Sequence, residues 1–234
     1  MKANSILALG LAVMCAHVLT QCQSSAPASV VVEGHRFIDL ALPSGVMWAE
    51  TNIGADSEAD AGMYFAWGET KEKPAYDWST YKYWSAPDSS TTKYAAASEP
   101  TTLLAADDAA TCQWGDFCRM PTDAELAELR DTANCRWTWT TRRSSAGTEV
   151  NGYEVSSKRN GQKLFLPAGG YRDNNIVCRN LANGLYWSAS AEPSDPTQAR
   201  YIYFGPDETD SNATLRYYGY NVRAVLCKSK KVKE

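Results

Sequence analysis

The sequence predicts an α+β domain, and three observations carry that expectation. Between Arg119 and Arg223, aromatic residues alternate with Thr, Ser and Tyr in short runs such as WTWT, LFLPAGGYR and YWSAS. Gly or Asn separates the runs, the pattern of short strands joined by tight turns. One well-specified helix interrupts them. Thr122 stands as its N-cap, Glu125 three residues on completes a capping box, and Pro121 lies just ahead.

The elements follow in order. VVVEGHRFID (Val30–Asp39) reads as a hairpin turned at Glu33-Gly34. Leu42-Pro43-Ser44-Gly45 is a turn by composition, and Val46 to Ala49 a short buried strand. GMYFAWG (Gly62–Gly68) is an apolar run too short for a helix, with glycine at both ends. Glu69 to Pro100 is polar and irregular but holds Trp78, Tyr81, Tyr83, Trp84 and Tyr94, which predicts an ordered excursion held down by aromatics. Alanine-rich Leu103 to Gln113 suits a short helix with Asp107 and Asp108 facing the positive end of its dipole. The capped helix carries Leu126 and Leu129 on one side and is expected to end near Asn134. Trp137 and Trp139 then share one face of a strand. Tyr153–Ser157 and Lys163–Leu166 flank Asn160-Gly161, which predicts a hairpin with a type I′ turn. Gly184–Ser190, Ala199–Phe204 and Leu215–Cys227 complete the strands.

Residues 1–21 read as a signal peptide. Lys2 supplies the charge, and Ile6 to Val18 an apolar core of about 13 residues, short of the roughly 20 that span a bilayer. Leu19-Thr20-Gln21-Cys22 resembles a bacterial lipobox, with Gln21 where Gly, Ala or Ser is usual. It predicts cleavage before Cys22 and acylation there, so that the membrane is met through the lipid alone. The expected address is the cell envelope, as an outer-membrane lipoprotein on its periplasmic or surface face, or secretion if Cys22 stays unmodified. Residues 22–30 form a small, polar tether, residues 31–228 one domain, and residues 229–234 a solvated basic tail. Net charge is −4, and −5 (−4 − 1) once Lys2 leaves with the signal peptide. Such a chain has no electrostatic basis for nucleic-acid binding.

Beyond Cys22 lie Cys112, Cys118, Cys135, Cys178 and Cys227, an odd number for an exported domain. Cys112 and Cys118 flank QWGDF and either close a small loop or stay as buried thiols. No CxxC pair occurs, and His35 is the sole histidine outside the signal peptide, so neither a zinc site nor a Ser-His-Asp set can be assembled.

At this point a resemblance enters. FIDLALPSGVMWAETNIGA, GMYFAWGET, YDWSTYKYW, DDAATCQWGDFCRMPTDAELAEL, WTWT, NGYEVSSKRNGQKLFLPAGGYR, YWSAS and YYGYNVRAV resemble, in that order, the Fibrobacter succinogenes major paralogous domain family. Its members are mostly exported or lipid-anchored proteins of Gram-negative bacteria. The resemblance covers nearly all of residues 33–227. It implies the C-type lectin-like fold shared with formylglycine-generating enzymes and retroelement-diversified binding proteins: two helices, small twisted antiparallel sheets and long ordered loops. It implies no reaction. The paired late cysteines of the formylglycine-generating enzymes have no counterpart, since only Cys227 lies near the C-terminus.

Candidate ligand residues come from this background. Gly219 to Arg223 resembles the Gly-x-x-Val-Arg signature that follows the variable surface of the retroelement-diversified relatives. That nominates Arg216, Tyr217, Tyr218 and Tyr220; strand alternation would let only one of Tyr217 and Tyr218 face out. Trp78 and Trp84 are candidates for an exposed platform, whereas Trp48, Trp67, Trp114 and Trp187 read as core. Arg172, Asp173 and Asn174 form a polar loop tip. Asp207, Glu208, Asp210 and Asn212 supply oxygens suited to calcium, although PDETDSN reads most plainly as a solvated loop. The expected function is binding of a glycan or a cell-surface protein, with no other cofactor. The alternatives are an enzyme, either of the formylglycine-generating type or a hydrolase, and a structural subunit presenting an edge strand.

Overall fold

Backbone turns of one or two residues set the first half of the chain. A computed structural model describes residues 28–95, 98–179 and 181–227. The expected signal peptide, Cys22, most of the tether and the basic tail lie outside the described residues. β1 (Ser29–Val32) pairs antiparallel with β2 (His35–Ile38), so the first strand begins inside the stretch read as tether. Glu33 and Gly34 both take positive φ, 47° and 83°, as a two-residue type I′ turn requires. β3 (Trp48–Ala49) lies beside β2. Gly62–Gly68 forms no strand; it makes one isolated bridge, Phe65 to Tyr220. The excursion contains a two-residue ribbon, β4 (Trp84–Ser85) with β5 (Ser90–Thr91).

The first helix is shorter than expected. A 3-10 turn (Ala105–Asp107) precedes α1 (Ala109–Trp114). Asp108 is the N-cap and accepts from the Thr111 N–H at 2.9 Å, while Asp107 faces away from the helix into a cluster of its own. β6 (Cys118–Arg119) follows, then α2 (Asp123–Arg130) with the predicted capping box fully formed. α2 ends before Asn134 because Asp131 leaves helical geometry (ψ 118°) and the Ala133 N–H donates to its side chain.

The second half is built of hairpins. β7 (Cys135–Arg143), β8 (Glu149–Ser157) and β9 (Lys163–Pro167) form one sheet. The Asn160-Gly161 connection is not a two-residue turn. The Ser157 N–H reaches the Gln162 carbonyl, and only Gly161 takes positive φ, so residues 158–161 form a longer loop. β10 (Tyr171–Asp173) and β11 (Ile176–Cys178) make a small ribbon. β12 (Gly184–Ala191), β13 (Gln198–Gly205) and β14 (Glu208–Leu215) form a third sheet. The last strand expected from 215 to 227 is absent as such. Residues 216–218 turn, Gly219, Tyr220 and Asn221 make isolated bridges to Arg172, Phe65 and Tyr186, and the one strand that forms, β15 (Val225–Leu226), pairs between β3 and β6. The PDETDSN run, read as a loop, is instead the turn into β14 and most of that strand.

Period-two alternation separates the two larger of four buried clusters among the described residues. Phe37, Ala49 and Trp187 enter one cluster with Phe65, Trp67 and Tyr220. Their neighbours Ile38, Trp48 and Tyr186 enter another with Leu126, Leu129 and Phe204. β12 therefore buries both faces, as a near-continuous apolar run should. Trp114 is the exception among the tryptophans read as core: it is half-buried, its ring stacked on His35 at 3.8 Å.

Two buried arginines join distant segments. Arg223 donates to the carbonyls of Ala49, Glu50 and Phe165 and to the Asn52 side chain, all within 3.0 Å. Arg216 donates to Gln198, Lys93 and Tyr94 carbonyls and lies 4.5 Å over the Trp67 ring. Burial lowers the pKa of both; a guanidinium keeps its charge in proteins, so each serves as a charged donor to neutral acceptors.

Candidate functional site

β13 and β14 pair over their whole length, from Gln198–Leu215 to Gly205–Glu208, and the pairing decides which side chains share a face. Tyr201 sits opposite Asn212, and Tyr203 opposite Asp210. These four point away from the face bearing Ile202 and Phe204, which belong to the core beneath α2. The result is a groove of about 630 Å³. Tyr201, Tyr203 and Leu185 form its floor. Glu208, Asp210, Asn212 and Thr214, every second residue of β14, form one wall. Tyr171, Tyr218 and Tyr220 form the other, and Arg179 also lines the groove.

Five tyrosines thus converge on one concavity. Burial pushes the phenols of Tyr171 and Tyr201 above their ordinary value. Burial, then a hydrogen bond with Glu208, does the same for Tyr203. All three stay protonated at neutral pH and can donate as well as accept. The Tyr203 hydroxyl is fixed by the Asn183 amide at 2.7 Å. Tyr220 has little exposed surface (3 %); it is wedged against Trp187 with ring centroids 4.3 Å apart and offers the groove only an edge.

The sequence-derived candidates divide. Arg216 is fully buried, which corrects its assignment to a ligand-facing surface; Tyr220 belongs mostly to the core but also lines the groove. Tyr217 and Tyr218 are both half-exposed, because the chain turns there instead of alternating. Trp78 and Trp84 are half-buried and stacked on each other, with centroids 4.3 Å apart and an interplanar angle of 24°. Trp78 meets Tyr217 edge-on at 4.9 Å, and Tyr217 meets Tyr218 at 4.5 Å. An aromatic row therefore runs from Trp84 to the groove.

Gly219 makes that junction possible. Its backbone exchanges two hydrogen bonds with Arg172, and a Cβ there would come within 2.6 Å of the Tyr76 ring and 2.8 Å of Arg172. Arg172 itself is half-buried over the Tyr64 ring, 5.8 Å from its centroid. Burial, foremost, and the contact with Tyr218 raise the phenol of Tyr217, and half-buried Asp173 accepts from the Asn174 side-chain amide at 3.1 Å. Asn174 is the exposed turn residue of the β10–β11 ribbon.

The oxygens considered for calcium are partly engaged. Asp207 is exposed in the β13–β14 turn. The Asp210 and Asn212 side chains accept from the N–H groups of Ser211 and Ala213, at 2.7 and 2.8 Å, and Arg130 lies 3.6 Å from Asp210. Among the described residues, no three His, Cys, Asp or Glu side chains gather as a metal site. The five cysteines are free thiols. Cys118 is fully buried, and burial pushes its thiol up to about 12; exposed Cys112 turns to the carbonyls of Ala105 and Ala106, so the two make no reactive pair.

Tyr171, Tyr201, Tyr203 and Arg179 were not singled out in the sequence. The ARYIYFG run did carry a signal: period two puts Tyr201 and Tyr203 on the face opposite Ile202 and Phe204. Tyr171 and Arg179 carried none, since their position depends on how the β10–β11 ribbon folds against Gly219. Comparison of the chain with protein-family models, with curated proteins and with solved structures found no match in any of the three.

Proposed function

We propose that this chain is an exported, lipid-anchored binding protein of the cell envelope. Its domain has the C-type lectin-like fold of the family it resembles, and a glycan or surface-protein ligand seats in the tyrosine groove. One observation carries the reading: a concavity that sets protonated phenols of its floor beside two carboxylates and an amide along the β14 wall. Neutral hydroxyl-rich ligands need that mixture of donors and acceptors beside apolar ring faces. Tyrosine also supplies large contact area at low ordering entropy. The small helices, several antiparallel sheets and long ordered loops support the fold reading.

A glycan array probed with the purified chain, with calcium and with chelator, tests this, together with a pulldown from envelope extracts. Tyr201→Ala and Glu208→Gln are expected to lower binding at least tenfold without moving the melting temperature by more than a few degrees. The reading is lost if no ligand is retained while the purified chain turns over a substrate, or if both variants bind like the wild type. The anchor has its own check: Cys22→Ala should release the chain from the membrane fraction.

A further inference from the structure

The groove does not end at Tyr218. Tyr218 lines the groove and also heads the row Tyr217, Trp78, Trp84, with consecutive centroids 4.5, 4.9 and 4.3 Å apart. Among the described residues Trp84 makes no ring contact besides Trp78, so none of their rings covers its outer face. Polar side chains border the row. Asp77, next to Trp78 in the chain, accepts from the Ser79 hydroxyl at 2.6 Å, and the Ser85 hydroxyl donates to Asp88 at 2.7 Å beside Trp84. Trp78 and Trp84 lie face to face and Tyr217 meets Trp78 edge-on, so the row offers ring edges and the outer face of Trp84 to the C–H groups of a sugar, whose hydroxyls reach the polar rim. The row is anchored as well. Trp78 packs edge-on against buried Tyr81, whose hydroxyl donates to the Trp67 carbonyl at 2.9 Å. Such a platform is pre-formed and loses little entropy when it binds.

We propose that Tyr217, Trp78 and Trp84 form an extended subsite continuous with the groove, and that the ligand is an oligosaccharide chain of several units, not a single sugar or a chain end alone. This rests on the groove reading above and adds to it a length dependence.

The test titrates the purified full chain with oligomers of one to six units from three series: β-1,4-linked glucose, α-1,4-linked glucose and β-1,4-linked N-acetylglucosamine. In at least one series, affinity is expected to rise about tenfold between two and five units as the aromatic row is reached. Trp84→Gln should abolish that rise and leave the two-unit affinity unchanged, whereas Tyr201→Ala should weaken all lengths alike. A readout that needs no variant is oxidation of indoles by N-bromosuccinimide, mapped by peptide mass spectrometry. A bound five-unit oligomer should protect Trp78 and Trp84, and a two-unit oligomer should not. Binding that is independent of length, or a rise that survives Trp84→Gln, overturns the subsite and leaves the groove standing. Absence of binding at every length in all three series also overturns the subsite, and the pulldown from envelope extracts then decides the groove reading separately.

Discussion

Two segments of this molecule exchange the roles that their compositions suggest. Arg216 to Tyr220 is rich in the residues expected at a contact surface, yet Arg216 and Tyr220 are buried and only Tyr217 and Tyr218 reach solvent. Glu208 to Thr214 looks like a solvated polar stretch, yet alternate residues of it wall the groove. The difference teaches that large side chains are claimed first by the interior, where each buried ring excludes water from 150–250 Å² of its own surface, about the typical aromatic burial. Small polar side chains on an edge strand are left to shape the site.

The largest effects should come from the buried member of this pair. Arg216→Ala removes the donor from the carbonyls of Lys93 and Tyr94 and one of two donors from that of Gln198, which keeps the Glu192 N–H. A loss of about 3–5 kcal/mol is expected, read as a lowered urea midpoint. Were Arg216→Ala to keep full stability and lose ligand, the contrast would be broken. Tyr220→Ala should cost about 3 kcal/mol by opening a cavity beside Trp187, whereas Tyr203→Ala, on the groove floor, should cost about 1 kcal/mol and act mainly on binding.

Asp107 offers a pH test of how the excursion is held. Burial raises its pKa, but hydrogen bonds from Lys93, Tyr83 and Tyr94 outweigh burial and hold it below the ordinary 3.8. The folded value is depressed, so the stabilisation is complete above the ordinary value and fades as pH falls through the folded one. Asp107→Asn should cost about 2 kcal/mol at pH 7, and the gap from wild type should shrink only below about pH 4. Its neighbour behaves oppositely. Asp108 is buried, and burial raises its pKa against three backbone hydrogen bonds, so its charge is a cost at neutral pH. Chemical denaturation from pH 2.5 to 7 of both Asn variants separates the two; identical profiles would contradict the opposite shifts.

The smallest effect on stability belongs to the groove wall. Asp210→Ala with Asn212→Ala should change the unfolding free energy by less than about 1 kcal/mol. It frees the N–H groups of Ser211 and Ala213, which face outward from the edge of β14. Unmasked edge amides invite strand pairing, so the double variant should self-associate in sedimentation experiments at concentrations where the wild type does not.

Much of the local architecture was legible in the residues. The Thr122 box, the Glu33-Gly34 turn and the shared face of Trp137 and Trp139 each depend on neighbours a few positions away. The failures share one cause. Asn160-Gly161 carries a two-residue turn signal, but the ladder between β8 and β9 closes at Ser156–Lys163, which leaves too many residues for that turn. Leu215 to Cys227 carries a strand signal, but Arg216 is drawn into the carbonyls of the excursion, and the chain must turn to let it in.

By itself, then, the sequence settled the periodicity of each segment, since alternation and capping are decided by residues adjacent along the chain. Which aromatic rings became core and which became surface was decided only in three dimensions. Tyr220 is covered by Trp187 and Tyr201, and Tyr218 is met by Tyr171, partners brought from tens of residues away by strand register. No short-range rule weighs contacts that exist only after the sheets have closed.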